Sequence, residues 1–212
     1  MKPKHWFILV GGINGAGKST FAQAREVLDV LRGEVGSEIE IINPDLVTRE
    51  LAKSLPATLP QGALNLAAAE FCEARVRETL RERKTSVAIE TVLSTDKYKS
   101  ILRLARRSGY AVLFVYVALP SVKVALARVA HRVGKGGHNV PAPKVRSRWK
   151  RSLKNVTWFW ERADKAYVFD NGGKVPVLVA WRDSTITVFS HRGPRLPAGI
   201  ELTTVWSKRV RG

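Results

Sequence analysis

The chain is poor in cysteine, histidine and acid. Cys72 is the only cysteine in 212 residues, which excludes an internal disulfide framework and a thiolate metal cluster. Four histidines beside that one cysteine leave little from which to build a structural metal site. Eighteen Asp and Glu stand against thirty-six Lys and Arg, a net charge of +18. That balance points to anionic partners: phosphates, nucleotides, nucleic acid or an acidic protein. No apolar run approaches the ~18 residues needed to span a bilayer. The opening MKPKHWFILVGG has the basic end and apolar run of a signal peptide, but it breaks early into Gly, Asn and Lys without a small-residue cleavage site. The expectation is a soluble, cytoplasmic protein with no membrane partner.

At 45 % apolar residues the chain has enough material for a sizeable core. Three β-branched-rich runs read as buried parallel strands: WFILVGG (6–12), SVAIET (86–91) and AVLFVYVAL (111–119). SEIEIIN (37–43) is a weaker fourth. Helical segments lie between them, from Lys18 to about Leu31, Ala63 to about Arg83, Thr95 to about Arg107 and Pro120 to about Val133. Strands alternating with helices predict a mostly parallel sheet flanked by helices. Beyond Asn155, AYVFD, KVPVLVAW and TITVFS read as short strands, with turns at Asn171-Gly172-Gly173 and Arg182-Asp183-Ser184. They predict a β-rich C-terminal end to one domain over 1–189, followed by a basic, loosely ordered tail over 190–212.

Gly12-Ile13-Asn14-Gly15-Ala16-Gly17-Lys18-Ser19 fits G-x-x-x-x-G-K-[ST] in full, after a strand and before a helix. In such a turn the backbone N–H groups face inward and cradle phosphates. Lys18 would reach the β- and γ-phosphates, Ser19 would ligate Mg²⁺, and Thr20 is a further phosphate contact. The expected ligand is ATP with Mg²⁺, held by Gly12, Asn14, Gly15, Ala16, Gly17, Lys18, Ser19 and Thr20.

There is no Asn-Lys-x-Asp motif of a regulatory GTPase, and no long apolar strand ending in Asp as in a motor or AAA-type ATPase. The size suits a small-molecule kinase of nucleotide-kinase type, which works by positioning and charge neutralisation. Asn43-Pro44-Asp45 ends a strand, and strand ends face the ligand crevice of an open α/β sheet. Asp45 is there either to take an acceptor hydroxyl's proton or to cap the following helix. Glu90 and Thr91 end the next strand and could seat an acceptor or a metal-bound water, while Ser94 and Thr95 behind them either bind sugar or phosphate or cap the next helix.

The ordered set GGINGAGKST, NPD, IETVLS, RVAHRVGKGGHNVP, VRSRWKRSLKN and YVFDN resembles the zeta-toxin family of P-loop kinases over roughly residues 5–172. It is most similar to the compact, chromosomally encoded branch. The resemblance implies an ATP-dependent kinase acting on the 3′-hydroxyl of the amino sugar in UDP-N-acetylglucosamine. It also implies Asp45 as catalytic base, Glu90 and Thr91 in the acceptor pocket, and an antitoxin protein as a partner. The best-studied members have Glu-Gly-Thr-Gly where this chain has Glu90-Thr91-Val92-Leu93, and Glu73 is only an offset counterpart of their further acid.

Lys123–Asn155 holds ten Lys or Arg and no acid. Arg128 and Arg132 share one helix face, four residues apart. With Arg146, beyond the Pro-bounded turn, they read as a lid over about 133–146 that closes on the transferring phosphoryl, or else as a solvated basic face. His138 is either a phosphate contact or a loop histidine bonded to backbone. Trp149, Trp158, Phe159 and Trp160 suit base stacking or core packing. The alternatives are a kinase for another nucleotide sugar, an antibiotic or a nucleic-acid 5′ hydroxyl, and a non-catalytic nucleotide-binding module.

Overall fold

In a computed structural model, the described residues are 5–22, 35, 39–54, 59–137, 139–183 and 186–189. They contain seven strands and six helices. The strands are β1 (Trp6–Gly11), β2 (Ile39–Ile42), β3 (Ser86–Thr91), β4 (Ala111–Ala118), β5 (Lys165–Asp170), β6 (Val177–Asp183) and β7 (Ile186–Phe189). The helices are α1 (Lys18–Ala22), α2 (Pro44–Ser54), α3 (Gln61–Glu82), α4 (Lys97–Arg107), α5 (Val122–Gly134) and α6 (Ala142–Arg162). No helix among the described residues is long and apolar enough to cross a membrane. His138, residues 23–31 of the expected first helix, Ser184 of the expected turn, and the expected tail over 190–212 lie outside the described residues.

The strands form one sheet in the order β2-β3-β1-β4-β5-β6-β7. β1 to β5 pair in parallel, and β6 and β7 add antiparallel to the β5 edge. The three apolar runs are the three central strands. Strand period sends alternate β1 residues to opposite faces. Phe7 and Leu9 join the core under α3, α4 and α6, while Trp6, Ile8 and Val10 join the core under α5. Phe7, Ile8, Leu9, Leu113 and Phe114 are all fully buried, each worth about 1.5–3 kcal/mol of transfer free energy. Covered on both faces, these strands have no polar side to alternate with.

The chain leaves β1 toward β2 and β3 on one side, then crosses to β4 on the other. That reversal opens a crevice beyond the carboxyl ends of β1, β3 and β4, where such sheets bind ligands. The residue series 12–19 begins in that crevice. The C-terminal strands belong to the same sheet, because β5 continues the parallel register beside β4.

Candidate active site

The turn after β1 is held open by contacts from all sides. Gly12 N–H donates to Thr91 O at 3.1 Å, which ties the start of the loop to the end of β3. Gly15 and Gly17 have φ of 82° and 80°, a region that L side chains rarely adopt. A Cβ on Gly15 would meet Ala125 O at 2.7 Å, and one on Gly17 would meet Asn171 Nδ2 at 2.7 Å. Both glycines are therefore required twice, by conformation and by space. Asn171 Nδ2 donates to Ala16 O at 2.8 Å, and Asn171 N–H donates to Ala118 O at 3.0 Å. The residue after β5 thus braces the loop after β1.

Lys18 and Ser19 open α1. Lys18 Nζ lies 3.4 Å from Ile13 O, to which it donates. Burial holds the Lys18 ammonium below its ordinary pKa, against the opposing pull of Glu90 and Asp45. Ser19 Oγ donates to Glu90 Oε2 at 3.1 Å, and Asn43 Nδ2 donates to Glu90 Oε1 at 3.3 Å. Burial pushes the Glu90 carboxyl up, and Lys18 and Ser19 partly restore it. A serine hydroxyl next to a carboxylate oxygen is a hard oxygen pair. It fits Mg²⁺, which prefers few protein ligands and completes its shell with water and phosphate. Among the described residues no group of three His, Cys, Asp or Glu could hold a metal by itself.

Asp45 sits in the first turn of α2, exposed. Its own backbone N–H is capped by Asn43 Oδ1 at 2.9 Å, and Asn43 O accepts from Leu46 and Val47. Asn43 therefore supplies the cap, and the Asp45 carboxylate has no capping bond among the described residues. Thr91 does not face free space, since its Oγ1 accepts from Leu93 N–H at 3.0 Å. Leu93 O accepts from Asn155 Nδ2 at 3.0 Å. The β3–α4 loop is pinned, and half-buried Ser94 lies within it. Glu73 is held by Arg77 and Lys97.

Of the basic candidates, Arg128 reaches the loop: its Nη2 lies 3.4 Å from Gly172 O, and its Cβ is close to Gly15. Arg132 is close enough to depress Lys18. Arg146 is exposed near the start of α6 and makes no ion pair or hydrogen bond among the described residues. Arg148, which was not among the expected site residues, reaches the phosphate turn and donates Nη1 to Asn14 Oδ1 at 2.8 Å. Two residues are about 200° apart on a helix. Val145, Ser152 and Val156 set the inward face of α6, and Arg148 stands next to that face while Arg146 is turned away. Burial lowers the Arg148 pKa, with Arg151 adding to the effect. The tryptophans are packing groups for the most part: Trp160 and Phe159 are buried in the core, and Trp149 packs against it.

The architecture is that of the P-loop kinases. A crystal structure of the AvrRxo1-ORF1:-ORF2 complex with ATP is similar at a TM-score of 0.66 and 20 % identity, over 86 % of this chain and 59 % of that one. The native complex gives 0.67 and 20 %, over 90 % and 62 %. The chain thus spans about three fifths of the length of these proteins. The PezAT chromosomal toxin–antitoxin system of Streptococcus pneumoniae gives 0.59 and 18 %, over 84 % and 72 %. No curated protein matches in sequence. A family model described as an AAA domain matches residues 7–157. The missing strand-end Asp argued against that name; the acid in its place is Glu90, hydrogen-bonded to Ser19. By that match over more than half its length, the chain belongs to the AAA domain family of P-loop proteins.

Proposed function

We propose that this protein transfers the γ-phosphoryl group of Mg·ATP to a hydroxyl of a small anionic acceptor, with UDP-N-acetylglucosamine the first candidate. The observation that carries the reading is the convergence of Lys18, the Ser19–Glu90 pair, Asp45 and Arg148 around one phosphate-binding turn. The acceptor assignment rests on the zeta-toxin resemblance.

The turn from Gly12 to Thr20 binds the phosphates through its backbone N–H groups, and Lys18 reaches the β- and γ-oxygens. Ser19 and Glu90 would hold the metal, which would supply charge neutralisation to the phosphates. Asp45 accepts the acceptor's hydroxyl proton as that oxygen bonds to the γ-phosphorus and the bond to the β-phosphate oxygen breaks, releasing ADP. Arg128, Arg132 and Arg148 neutralise the equatorial oxygens. Glu90 and Ser94 line the acceptor side, and Thr91 shapes the loop between them through its bond to Leu93. The α5–α6 turn closes over the site as a lid. A protein partner fits the same reading, since one similar structure is of an ORF1:ORF2 complex and another belongs to a toxin–antitoxin system.

The test is incubation with Mg·ATP and a panel of nucleotide sugars, read by mass for a gain of one phosphoryl group. A gain on UDP-N-acetylglucosamine is expected. A gain only on another sugar replaces the acceptor and leaves the kinase standing.

A further inference from the structure

The nucleotide site uses only a few of the thirty-six cations, and a second concentration lies on the flank of the sheet. Helices α4 and α6 cover the same sheet face, through Ile101, Leu102 and Ala105 on one and Val156, Phe159 and Trp160 on the other. Together they carry twelve Lys and Arg and one acid, Glu161. Their outer stripes meet at Trp158. Arg162 Cζ is 4.7 Å from its ring centroid, Lys99 Nζ 5.5 Å and Arg103 Cζ 5.7 Å.

Three acids temper this face: Asp96 pairs with Lys99, Asp164 with Arg106, and Glu161 with Arg162. Exposed Arg103, Arg107, Lys150, Arg151 and Lys154 make no ion pair among the described residues. Arg151, Lys154, Trp158 and Arg162 run down one side of α6 at helical spacing, and Lys99, Arg103 and Arg107 run beside them on α4. From Arg151 to Arg162 the track is about 16 Å long at 1.5 Å per residue. Like charges crowded this way repel, and a polyanion relieves that repulsion.

We infer that the α4–α6 flank binds the phosphate backbone of a nucleic-acid duplex, independently of the ATP turn. The groups offered are Lys and Arg, which contact phosphates without reading bases. The one aromatic ring on the track is not a free stacking platform, because three cations and the Phe159 ring at 4.8 Å already surround it. Single-strand binders rely on such platforms. A duplex turns its bases inward and presents about one charge per 1.7 Å of axis, which suits a track with cations and no open ring.

The test is fluorescence anisotropy of a labelled DNA duplex of about 20 base pairs, titrated with the full chain across a salt series. The expected result is a log-linear loss of affinity with salt. Arg103→Glu with Lys154→Glu should weaken binding at least about tenfold and flatten the salt slope by about two. Lys18→Ala should leave duplex binding intact, and the double variant should bind ATP as the parent does, which also reports a sound fold. Should it misfold, Arg103→Gln with Lys154→Gln serves, with a smaller loss expected. The inference is overturned if the parent fails to bind the duplex, if charge reversal leaves binding unchanged, or if Lys18→Ala or excess ATP abolishes it. Equal affinity for a single strand of the same length overturns the duplex assignment.

Discussion

Ser19 Oγ donates to Glu90 Oε2 at 3.1 Å across 71 residues of sequence. The contact joins the first residue able to ligate a metal after the phosphate turn to the acid at the end of the neighbouring parallel strand. It is a costly arrangement. Burial raises the Glu90 carboxyl and lowers the neighbouring Lys18 ammonium, so each charge is disfavoured by its surroundings and sustained in part by the other. Sites held in that state favour ligand binding over stability.

Glu90→Gln separates the two effects. A carboxyl whose folded pKa is raised binds more protons in the native state than in the unfolded one, so stability falls as pH rises above the unfolded value of about 4.3. Replacing it with a neutral isostere should raise Tm at pH 8. The gain should shrink as pH falls toward the unfolded value, where the parent's raised carboxyl takes up its proton. Phosphoryl transfer should fall at least about a hundredfold, with metal-free ATP binding kept. Calorimetry across that pH range and a transfer assay check both halves.

If Arg148 meets the transferring group as proposed, Arg148→Ala should lower kcat by about a hundredfold or more. Arg146→Ala should change it less than about threefold. Steady-state kinetics of the two variants side by side test the helix-face assignment, and equal losses would contradict it.

Asn171→Ala removes the bond to Ala16 O that braces the phosphate turn. The expected cost is about 1 kcal/mol of stability and a rise of about tenfold in the ATP dissociation constant. Gly17→Ala should abolish ATP binding, because its φ and the nearby Asn171 amide both exclude a Cβ. Equilibrium nucleotide titrations measure both.

The central sheet is legible in the sequence because β1, β3 and β4 are covered on both faces and read as unbroken apolar runs. The phosphate turn is equally plain, since its glycines answer to local geometry. Side-chain direction is harder to read. Asp45 offered two roles, and only the bond from its backbone to Asn43 removes the capping one. Arg146 and Arg148 differ by helix phase alone, and the phase follows from Val145 and Ser152, whose burial is a tertiary fact. The period Val145, Trp149, Ser152, Val156 was the available signal. Asn171 had none: its partner lies 155 residues away, and only folding brings them together.

Asp45→Asn is the most direct measurement of the central claim. The variant keeps the phosphate turn, the Asn43 cap and the shape of the side chain, and loses only the capacity to take a proton. ATP affinity should stay within about twofold of the parent, while transfer of the γ-phosphoryl to the acceptor falls by at least about a thousandfold. Transfer at the parental rate would contradict the assignment of Asp45 as the base and the reaction path built on it.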